Sequence, residues 1–226
     1  MISVIIPTLN EEHRIADLIK YLNEHGQGLI EIIIVDGGST DKTTIVALAE
    51  GAKVVNSPEK GRAKQMNFGA NLASFEILYF LHADTNPPVS FVDEIMNANS
   101  DGWNAGCFRL SFDNKHPLLS FYSWFTKFDI DVFRFGDQSL FVEKQVFNKA
   151  GTYDEKLIIM EDQEIVRSIK KVSNFKILDC SVVTSARKYE KIGFIKLQLI
   201  FTTVLTMYYF GVDQKKILDY YFRKIQ

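Results

Sequence analysis

The sequence predicts an α/β protein, built on a mainly parallel sheet with helices on both faces. Short, continuous apolar runs alternate with stretches of helical periodicity through the first half of the chain. We expect strands at 2–6, 31–35, 53–55 and 76–81, and helices over 15–22, 41–50 and 61–72. Strands that are apolar on both sides are typical of a parallel sheet that is covered on both faces.

The second half of the chain is less regular. We expect strands at 139–142 and 175–178, a helix over 162–171, and two closing helices over 190–210 and 214–223. The segment 194–210 contains Lys196, Gln198 and threonines, so it lacks the roughly 20 clean apolar residues of a membrane span. This segment and the aromatic-rich segment 108–135 are expected to be core. The alternative is an apolar surface that contacts a membrane, a lipid-linked ligand or a second subunit.

Composition limits the class of protein. The chain has 226 residues, 46% of them hydrophobic, and a formal net charge of -2, which suits one domain over 1–226 and gives no sign of a nucleic-acid partner. Cys107 and Cys180 are interpreted as buried, reduced thiols. The apolar start is cut off by Pro7 and lacks the features of a signal peptide. We therefore expect a cytoplasmic protein, with contact at a membrane surface as the alternative.

Carboxylates follow three of the predicted strands. Glu11 lies after the first strand, Asp36 after the second, and Asp84 after the strand that ends near residue 81. Bringing like charges together is unfavourable unless a cation or a hydrogen-bonding ligand occupies the site. Taken singly, Asp36 fits a glycine-rich turn and Asp84 fits a turn before two prolines. Together they indicate a ligand site beyond the ends of the strands.

Two helix starts carry charges of interest. Lys60, Arg62 and Lys64 are cations in a first helical turn, where they oppose the helix dipole unless an anion such as a diphosphate binds there. A solvated basic surface is the alternative. Glu161 and Asp162 open a later helix, where acidic residues are common, although one of them could act as a general base.

These segments together resemble one known family. The chain is similar to family-2 glycosyltransferases of the A-type fold over nearly its whole length. The matching residues are 5–11 (Ile-Ile-Pro-Thr-Leu-Asn-Glu), 35–41 (Val-Asp-Gly-Gly-Ser-Thr-Asp), 61–67 (Gly-Arg-Ala-Lys-Gln-Met-Asn), 81–85 (Leu-His-Ala-Asp-Thr), 151–155 (Gly-Thr-Tyr-Asp-Glu) and 161–162 (Glu-Asp). The resemblance implies a Rossmann-like domain with a nucleotide-sugar-binding half, 1–100, and an acceptor-binding half, 101–226.

The resemblance also implies roles for single residues. Pro7, Thr8, Glu11 and Asp36 would line the base and ribose pocket, and Arg62 would approach the diphosphate of the donor. Asp84 matches the last acid of the family's Asp-x-Asp motif and would bind Mn²⁺ or Mg²⁺. Asp162 matches the catalytic base, which deprotonates the acceptor hydroxyl. The predicted function is transfer of a sugar from a nucleotide-sugar, with UDP-sugar as the expected donor, by an inverting mechanism.

Two positions depart from the family pattern. Gly37 replaces the usual second Asp after strand two, and His82 stands where Asp-x-Asp normally begins. With residues 136–138 (Gly-Asp-Gln) and 184–189 (Thr-Ser-Ala-Arg-Lys-Tyr), they resemble a bacterial subgroup with a His-Ala-Asp-Thr metal motif. In this interpretation Asp137 and Gln138 lie near the acceptor or the sugar, Glu161 lies on the acceptor side, and Arg187 or Lys188 closes over the diphosphate.

Alternative functions remain open. Gly37 and His82 are compatible with a non-catalytic partner protein that binds a nucleotide-sugar without turnover. A nucleotidyltransferase is disfavoured, since residues 7–14 contain no glycine. The acceptor is open as well, with a lipid-linked molecule as one candidate, and so is association as a homodimer.

Overall fold

A computed structural model describes residues 1–134 and 136–225, and its architecture confirms the α/β prediction. Within these residues, eight strands form one sheet. The strands are β1 (Ile2–Thr8), β2 (Ile30–Asp36), β3 (Lys53–Asn56), β4 (Ile77–Phe80), β5 (Thr85–Asn86), β6 (Ala105–Phe112), β7 (Leu140–Glu143) and β8 (Lys176–Thr184). The sheet is mixed, with the order β3-β2-β1-β4-β7-β6-β8-β5. Strands β3, β2, β1 and β4 are parallel to one another, and β7 pairs antiparallel with both β4 and β6.

Helices cover both faces of this sheet. They are α1 (Ile15–His25), α2 (Thr43–Ala49), α3 (Arg62–Leu72), α4 (Phe91–Ser100), α5 (Pro117–Phe125), α6 (Lys144–Lys149), α7 (Glu161–Val172), α8 (Arg187–Ile192), α9 (Phe194–Tyr209) and α10 (Gln214–Ile225). Two short 3₁₀ turns, Asp131–Phe133 and Gly136–Gln138, lead into β7.

The alternation of side chains in β1 explains why its sequence is mostly apolar. Val4 and Ile6 pack into the layer that contains α1 and α4, whereas Ile5 packs into the opposite layer with α3. Both layers are closed to solvent, so most strand positions carry apolar side chains, and the buried hydroxyls of Ser3 and Thr8 are hydrogen-bonded. Helix α3 lies so close to β1 that a Cβ on Gly69 would be 2.5 Å from Cγ2 of Ile5.

Strand β6 and helices α4, α5 and α6 are absent from the sequence prediction. Strand β6 reads Ala-Gly-Cys-Phe-Arg-Leu-Ser-Phe, so it lacks the continuous apolar run that marks β1 and β2. Its glycine is required by packing, because a Cβ on Gly106 would lie 2.3 Å from the carbonyl oxygen of Lys176. Strand β8 extends well beyond the 175–178 that we predicted.

The closing helices also differ from the prediction. The expected helix over 190–210 is two helices, because Gly193 lies between them with a φ of 100°, outside the helical region. Helix α9 buries Leu197, Ile200 and Val204 but exposes other apolar residues, so the expected core assignment is only half right. No helix in the described part of the chain has the length and apolar character needed to cross a membrane.

The aromatic-rich segment 108–135 was also expected to be core, and only part of it is buried. Leu119 of α5 is fully buried, whereas Phe121 and Trp124 are 56% and 51% exposed. Residue 135, the end of the segment as predicted, lies outside the described residues. Cys107 is a buried free thiol as expected, but Cys180 is only half-buried.

Candidate active site

The ends of β2, β1 and β4 form one edge of the sheet, as predicted. These three strands are neighbours in the order β2-β1-β4, and Thr8 pairs with Asp36 at the carboxyl ends of β1 and β2. The segments that follow them carry Glu11, Asp36, His82 and Asp84. The convergence of these acidic segments is therefore a direct result of the parallel topology.

Asp36 is a buried carboxylate held by short polar contacts. It is 2% exposed, and it accepts hydrogen bonds from the backbone N–H groups of Gly38 at 2.9 Å and Ser39 at 2.7 Å. The hydroxyl of Thr8, which is also 2% exposed, donates to Asp36 at 3.2 Å. Pro7 precedes Thr8 on β1 and is half-buried. These contacts fix the Asp36 carboxylate at the carboxyl ends of two neighbouring strands.

Gln65 explains why glycine stands at position 37. Its side chain is 6% exposed and donates from Nε2 to the carbonyl oxygens of Thr8 at 3.0 Å and Val35 at 2.7 Å. A Cβ on Gly37 would lie 3.0 Å from the Gln65 side chain. A side chain at position 37 would therefore be in tight contact with the amide that bridges β1 and β2.

Glu11 and Arg187 lie opposite each other at the rim of the same edge. Oε1 of Glu11 is 3.8 Å from Nη2 of Arg187, which begins α8. Burial raises the pKa of Glu11 and the charge of Asp84 adds to the rise, whereas Arg187 opposes it. Arg14 of the α1 start donates to Ser185 Oγ at 3.0 Å, which holds the segment before α8 against this rim.

His82, Asp84 and Asp137 form a group that could hold a metal ion. One ligand atom of each lies within 4.8 Å of the others. Nδ1 of His82 is 2.9 Å from Oδ1 of Asp137. Burial and the charge of Arg62 disfavour the protonated imidazole, but the hydrogen bond with Asp137 and the charges of Asp137 and Asp162 together raise the pKa of His82. One imidazole nitrogen with two carboxylates suits a divalent ion such as Mn²⁺, and the oxygens alone suit Mg²⁺.

Asp137 was predicted on the acceptor side, and its contact with His82 is a feature that sequence analysis missed. It lies in the 3₁₀ turn before β7, 53 positions after Asp84 in the chain. Strand β7 pairs with β4, and this antiparallel pairing places the turn beside the end of β4. No local spacing rule links residues this far apart, so only the topology reveals the group.

Arg62 joins the metal-capable group to the start of α7. Its Nε lies 3.0 Å from Oε1 of Glu161, its Nη1 lies 3.7 Å from Oδ2 of Asp162, and Nη1 is 3.4 Å from Nε2 of His82. Burial opposes the charge of Arg62, but the two carboxylates outweigh burial and raise its pKa. The ion pair with Glu161 lacks hydrogen-bond alignment in the described residues. Arg62 is therefore charged and close to both acids, but the described residues show no well-aligned hydrogen bond from it to either carboxylate.

The predicted basic cluster at the start of α3 thus has acidic partners inside the protein. Arg62 pairs with the start of α7, and Lys64 pairs with Glu59. An anionic ligand is consequently not needed to explain these two cations. Arg62 is still accessible to an anionic ligand, since 45% of its side chain is exposed.

Glu161 is a buried acid in a strained setting. It is 2% exposed, and burial raises its pKa to about 7, with Arg62 opposing and Asp162 adding to the rise. The residue before it, Met160, has a φ of 72°, which is uncommon for a side chain of this size. Such strain is typical of functional sites, where the surrounding structure holds it.

Asp162 lines a small cavity together with His82 of the metal-capable group. The cavity is also lined by Arg134 and Gly136, and 18% of the Asp162 side chain is accessible. A Cβ on Gly136 would lie 2.1 Å from Oδ2 of Asp162 and 2.6 Å from Cε1 of His82. The backbone at Gly136 therefore sets the spacing between the proposed base and the histidine.

Gln138 and Arg134 are two of the buried polar residues that line this cavity. Gln138 is 1% exposed and its Nε2 lies 3.4 Å from the carbonyl oxygen of Phe108, so at least one of its contacts is to the backbone of β6. Arg134, which sequence analysis did not single out, is 2% exposed and donates from Nη1 to Sγ of Cys107 at 3.3 Å and from Nη2 to the carbonyl oxygen of Thr126 at 2.7 Å.

Comparison with known proteins identifies the family. The sequence model of the family described as "Glycosyl transferase family 2" matches residues 3–141 of this chain. A glucosyl-3-phosphoglycerate synthase of Mycolicibacterium smegmatis is 31% identical over 131 residues, which cover 54% of this chain and 40% of that protein. The chain thus matches less than half the length of this curated relative.

Solved structures show the same fold. The S. aureus TarS 1–349 structure in complex with UDP superposes with a TM-score of 0.68 and 17% identity, covering 81% of this chain and 60% of that one. The Mycobacterium tuberculosis glucosyl-3-phosphoglycerate synthase in complex with Mn²⁺, UDP and phosphoglyceric acid gives 0.62 and 20%, covering 94% and 79%. These likenesses confirm the A-type fold predicted from sequence. With residues 3–141 matched by the family description, the chain belongs to glycosyl transferase family 2.

Proposed function

We propose that the protein is an inverting glycosyltransferase that moves a sugar from a nucleotide-sugar to an acceptor hydroxyl. The observation that carries this proposal is the arrangement around Arg62, which lies between the metal-capable group and Asp162. A diphosphate-binding cation, a cation-binding set of ligands and a candidate base are thereby gathered at one edge of the sheet. Family membership supports the same activity.

The donor side of the proposed site is the half 1–100. Thr8 and Asp36 provide fixed polar groups for the nucleoside, with Pro7 beside them, and Glu11 lies at the rim. Arg62 and Arg187 are the cations placed to approach the diphosphate. UDP is the nucleotide we favour, because UDP occupies both of the similar structures described above.

The metal ligands that we propose are Asp84, His82 and Asp137. Their nitrogen and oxygen donors favour Mn²⁺ over Mg²⁺, and Mn²⁺ is present in the similar M. tuberculosis structure. What a bound divalent ion supplies is neutralisation of the charge on the departing nucleoside diphosphate. His82 in the first motif position would give this chain the His-Ala-Asp-Thr subgroup character that its sequence resembles.

Asp162 is the proposed catalytic base on the acceptor side, in the half 101–226. It would take the proton from the acceptor hydroxyl as that oxygen attacks the anomeric carbon, with inversion of configuration. Its Oδ2 lies 3.7 Å from Nη1 of Arg62, the cation that would approach the diphosphate of the donor. Glu161 precedes Asp162, Gln138 lines the same cavity, and Asp137 contacts His82 of that cavity, so these three residues are the ones that would shape the acceptor site.

A thermal-shift experiment tests the proposal. Purified protein is heated with UDP-, GDP-, TDP- and CMP-sugars, each with and without Mn²⁺ or Mg²⁺. We expect one nucleotide class, UDP, to raise the melting temperature only with metal, because a ligand of the native state stabilises it by mass action. No shift with any donor would contradict the proposal. A shift without later release of nucleoside diphosphate to any acceptor or to water would favour the non-catalytic binding protein.

A further inference from the structure

Helix α5 and the turn after it expose a row of large apolar side chains, which we call the aromatic face. Its members are Phe121, Trp124, Phe128 and Ile130, which are 56%, 51%, 38% and 49% exposed. Phe121 and Trp124 are three residues apart on α5 and so share one side, and the ring of Phe128, in the turn after the helix, lies against that of Trp124. Leu119, on the other side of α5, is fully buried. The helix is thus apolar on its solvent side as well as on its core side.

The rings of the aromatic face form one continuous surface. The ring centroids of Trp124 and Phe128 are 4.9 Å apart, and those of Phe121 and Phe125 are 5.0 Å apart. Nζ of Lys127 lies 3.9 Å from the centre of the Trp124 ring. An indole with a lysine beside it is a combination suited to the boundary between hydrocarbon and water, because each has an apolar body and a polar tip.

The aromatic face is continuous with the acceptor side of the proposed active site. Phe125 stacks on Phe133 with centroids 5.0 Å apart. Arg134 then donates to the carbonyl oxygen of Thr126 at the end of α5, and it also lines the cavity that contains Asp162. One guanidinium therefore connects the backbone beneath the aromatic face to the wall of the site.

The size of the aromatic face argues against a second copy of the chain as its occupant. With side chains of roughly 200 Å² each that are about half exposed, it offers about 400 Å² of apolar surface. A stable interface buries about 800 Å² on each partner. A shallow contact with a lipid surface has no such area requirement, because apolar side chains insert one at a time.

We propose that the aromatic face inserts into the interface of a lipid bilayer, and that the acceptor hydroxyl belongs to a lipid presented there. The second part rests on the proposed function, whereas the first part does not. In this arrangement the bilayer lies beside the acceptor half, and the donor enters from water over the half 1–100. Lys127 remains at the level of the headgroups.

Vesicle sedimentation tests the surface directly. The probes are sucrose-loaded vesicles of phosphatidylcholine, alone or with phosphatidylglycerol. The matched variants are Phe121→Ser with Trp124→Ser, and a control with Ile45→Ser and Leu48→Ser on α2, where the native residues are 66% and 59% exposed. We expect wild type and control to sediment with vesicles and the aromatic-face variant to partition at least 10-fold less. Failure of the wild type to bind either vesicle would overturn the proposal.

Two further readouts separate the alternatives. A dimer in sedimentation velocity that the aromatic-face variant abolishes would assign the surface to a second copy and overturn the proposal. For the acceptor, labelled UDP-glucose is incubated with vesicles of bacterial lipid extract, and label is counted in the organic phase. We expect the aromatic-face variant to lose this label while keeping its metal-dependent thermal shift with UDP-sugar. Label that reaches only water-soluble products would exclude a lipid acceptor. If the wild type itself shows no metal-dependent thermal shift with UDP-sugar, the proposed function is contradicted instead.

Discussion

The guanidinium of Arg62 lies 3.0 Å from the carboxylate of Glu161, at the point where α3 meets α7. Glu161 is nevertheless only 2% exposed, and burial outweighs this attraction so that its pKa rises to about 7. Glu161 therefore changes its protonation state near neutral pH, and it is the residue next to Asp162, the proposed base.

This coupling predicts a pH-dependent stability that Glu161→Gln removes. A carboxyl whose folded pKa is raised favours folding fully below about pH 4.5, and this contribution is lost as the pH rises through about 7. Relative to Glu161→Gln, the wild type should lose roughly 3 kcal/mol of unfolding free energy between pH 4.5 and pH 8. Urea unfolding of metal-free protein at several pH values measures the difference. Glu59→Gln, at the exposed pair with Lys64, serves as the control and should show no such trend.

The contact of Gly136 with Asp162 gives a second prediction. A methyl group at Gly136 would approach Oδ2 of Asp162 to 2.1 Å, so Gly136→Ala must displace the carboxylate or the turn. A displacement of about 1 Å lowers turnover on the order of 100-fold. Steady-state release of nucleoside diphosphate measures it.

Gly151→Ala is the matched control for this variant. Its Cβ would meet open space, but the φ of 95° is unfavourable for alanine. The control should therefore lose about 1–2 kcal/mol of stability and keep its activity. Equal losses of activity in both variants would show that stability, rather than site geometry, explains the effect of Gly136→Ala.

A third prediction concerns the space that Gly37 leaves to Gln65. Gly37→Asp should lower the melting temperature, because its Cβ would lie 3.0 Å from the Gln65 side chain. Gln65→Ala should also be destabilising, by about 1–3 kcal/mol, since the carbonyls of Thr8 and Val35 lose a buried donor. The double variant should be less destabilised than the sum, with a coupling of at least about 0.5 kcal/mol. Additive losses would show that Gln65 is not the obstacle.

The first half of the fold could be predicted from the sequence because β1 and β2 are buried on both faces. Burial forces continuous apolar runs such as Ile32 to Val35, and the parallel order then brings Glu11, Asp36 and Asp84 to one edge. Strand β6 was not predicted because close packing requires Gly106 and because Arg109 and Ser111 interrupt its apolar run. The position of Asp137 against His82 depends on the β4–β7 pairing, and a pattern along the chain does not encode it.

The last prediction separates donor binding from chemistry. Asp84→Ala should abolish the metal-dependent thermal shift with UDP-sugar, because it removes one carboxylate from the metal-capable group. Asp162→Asn keeps the shape of the side chain and the metal ligands, so the thermal shift should survive. Release of nucleoside diphosphate should fall 10²- to 10⁴-fold in this variant, which is the usual contribution of a general base. Full activity in Asp162→Asn would rule out Asp162 as the base and direct attention to Glu161, the other carboxylate in contact with Arg62.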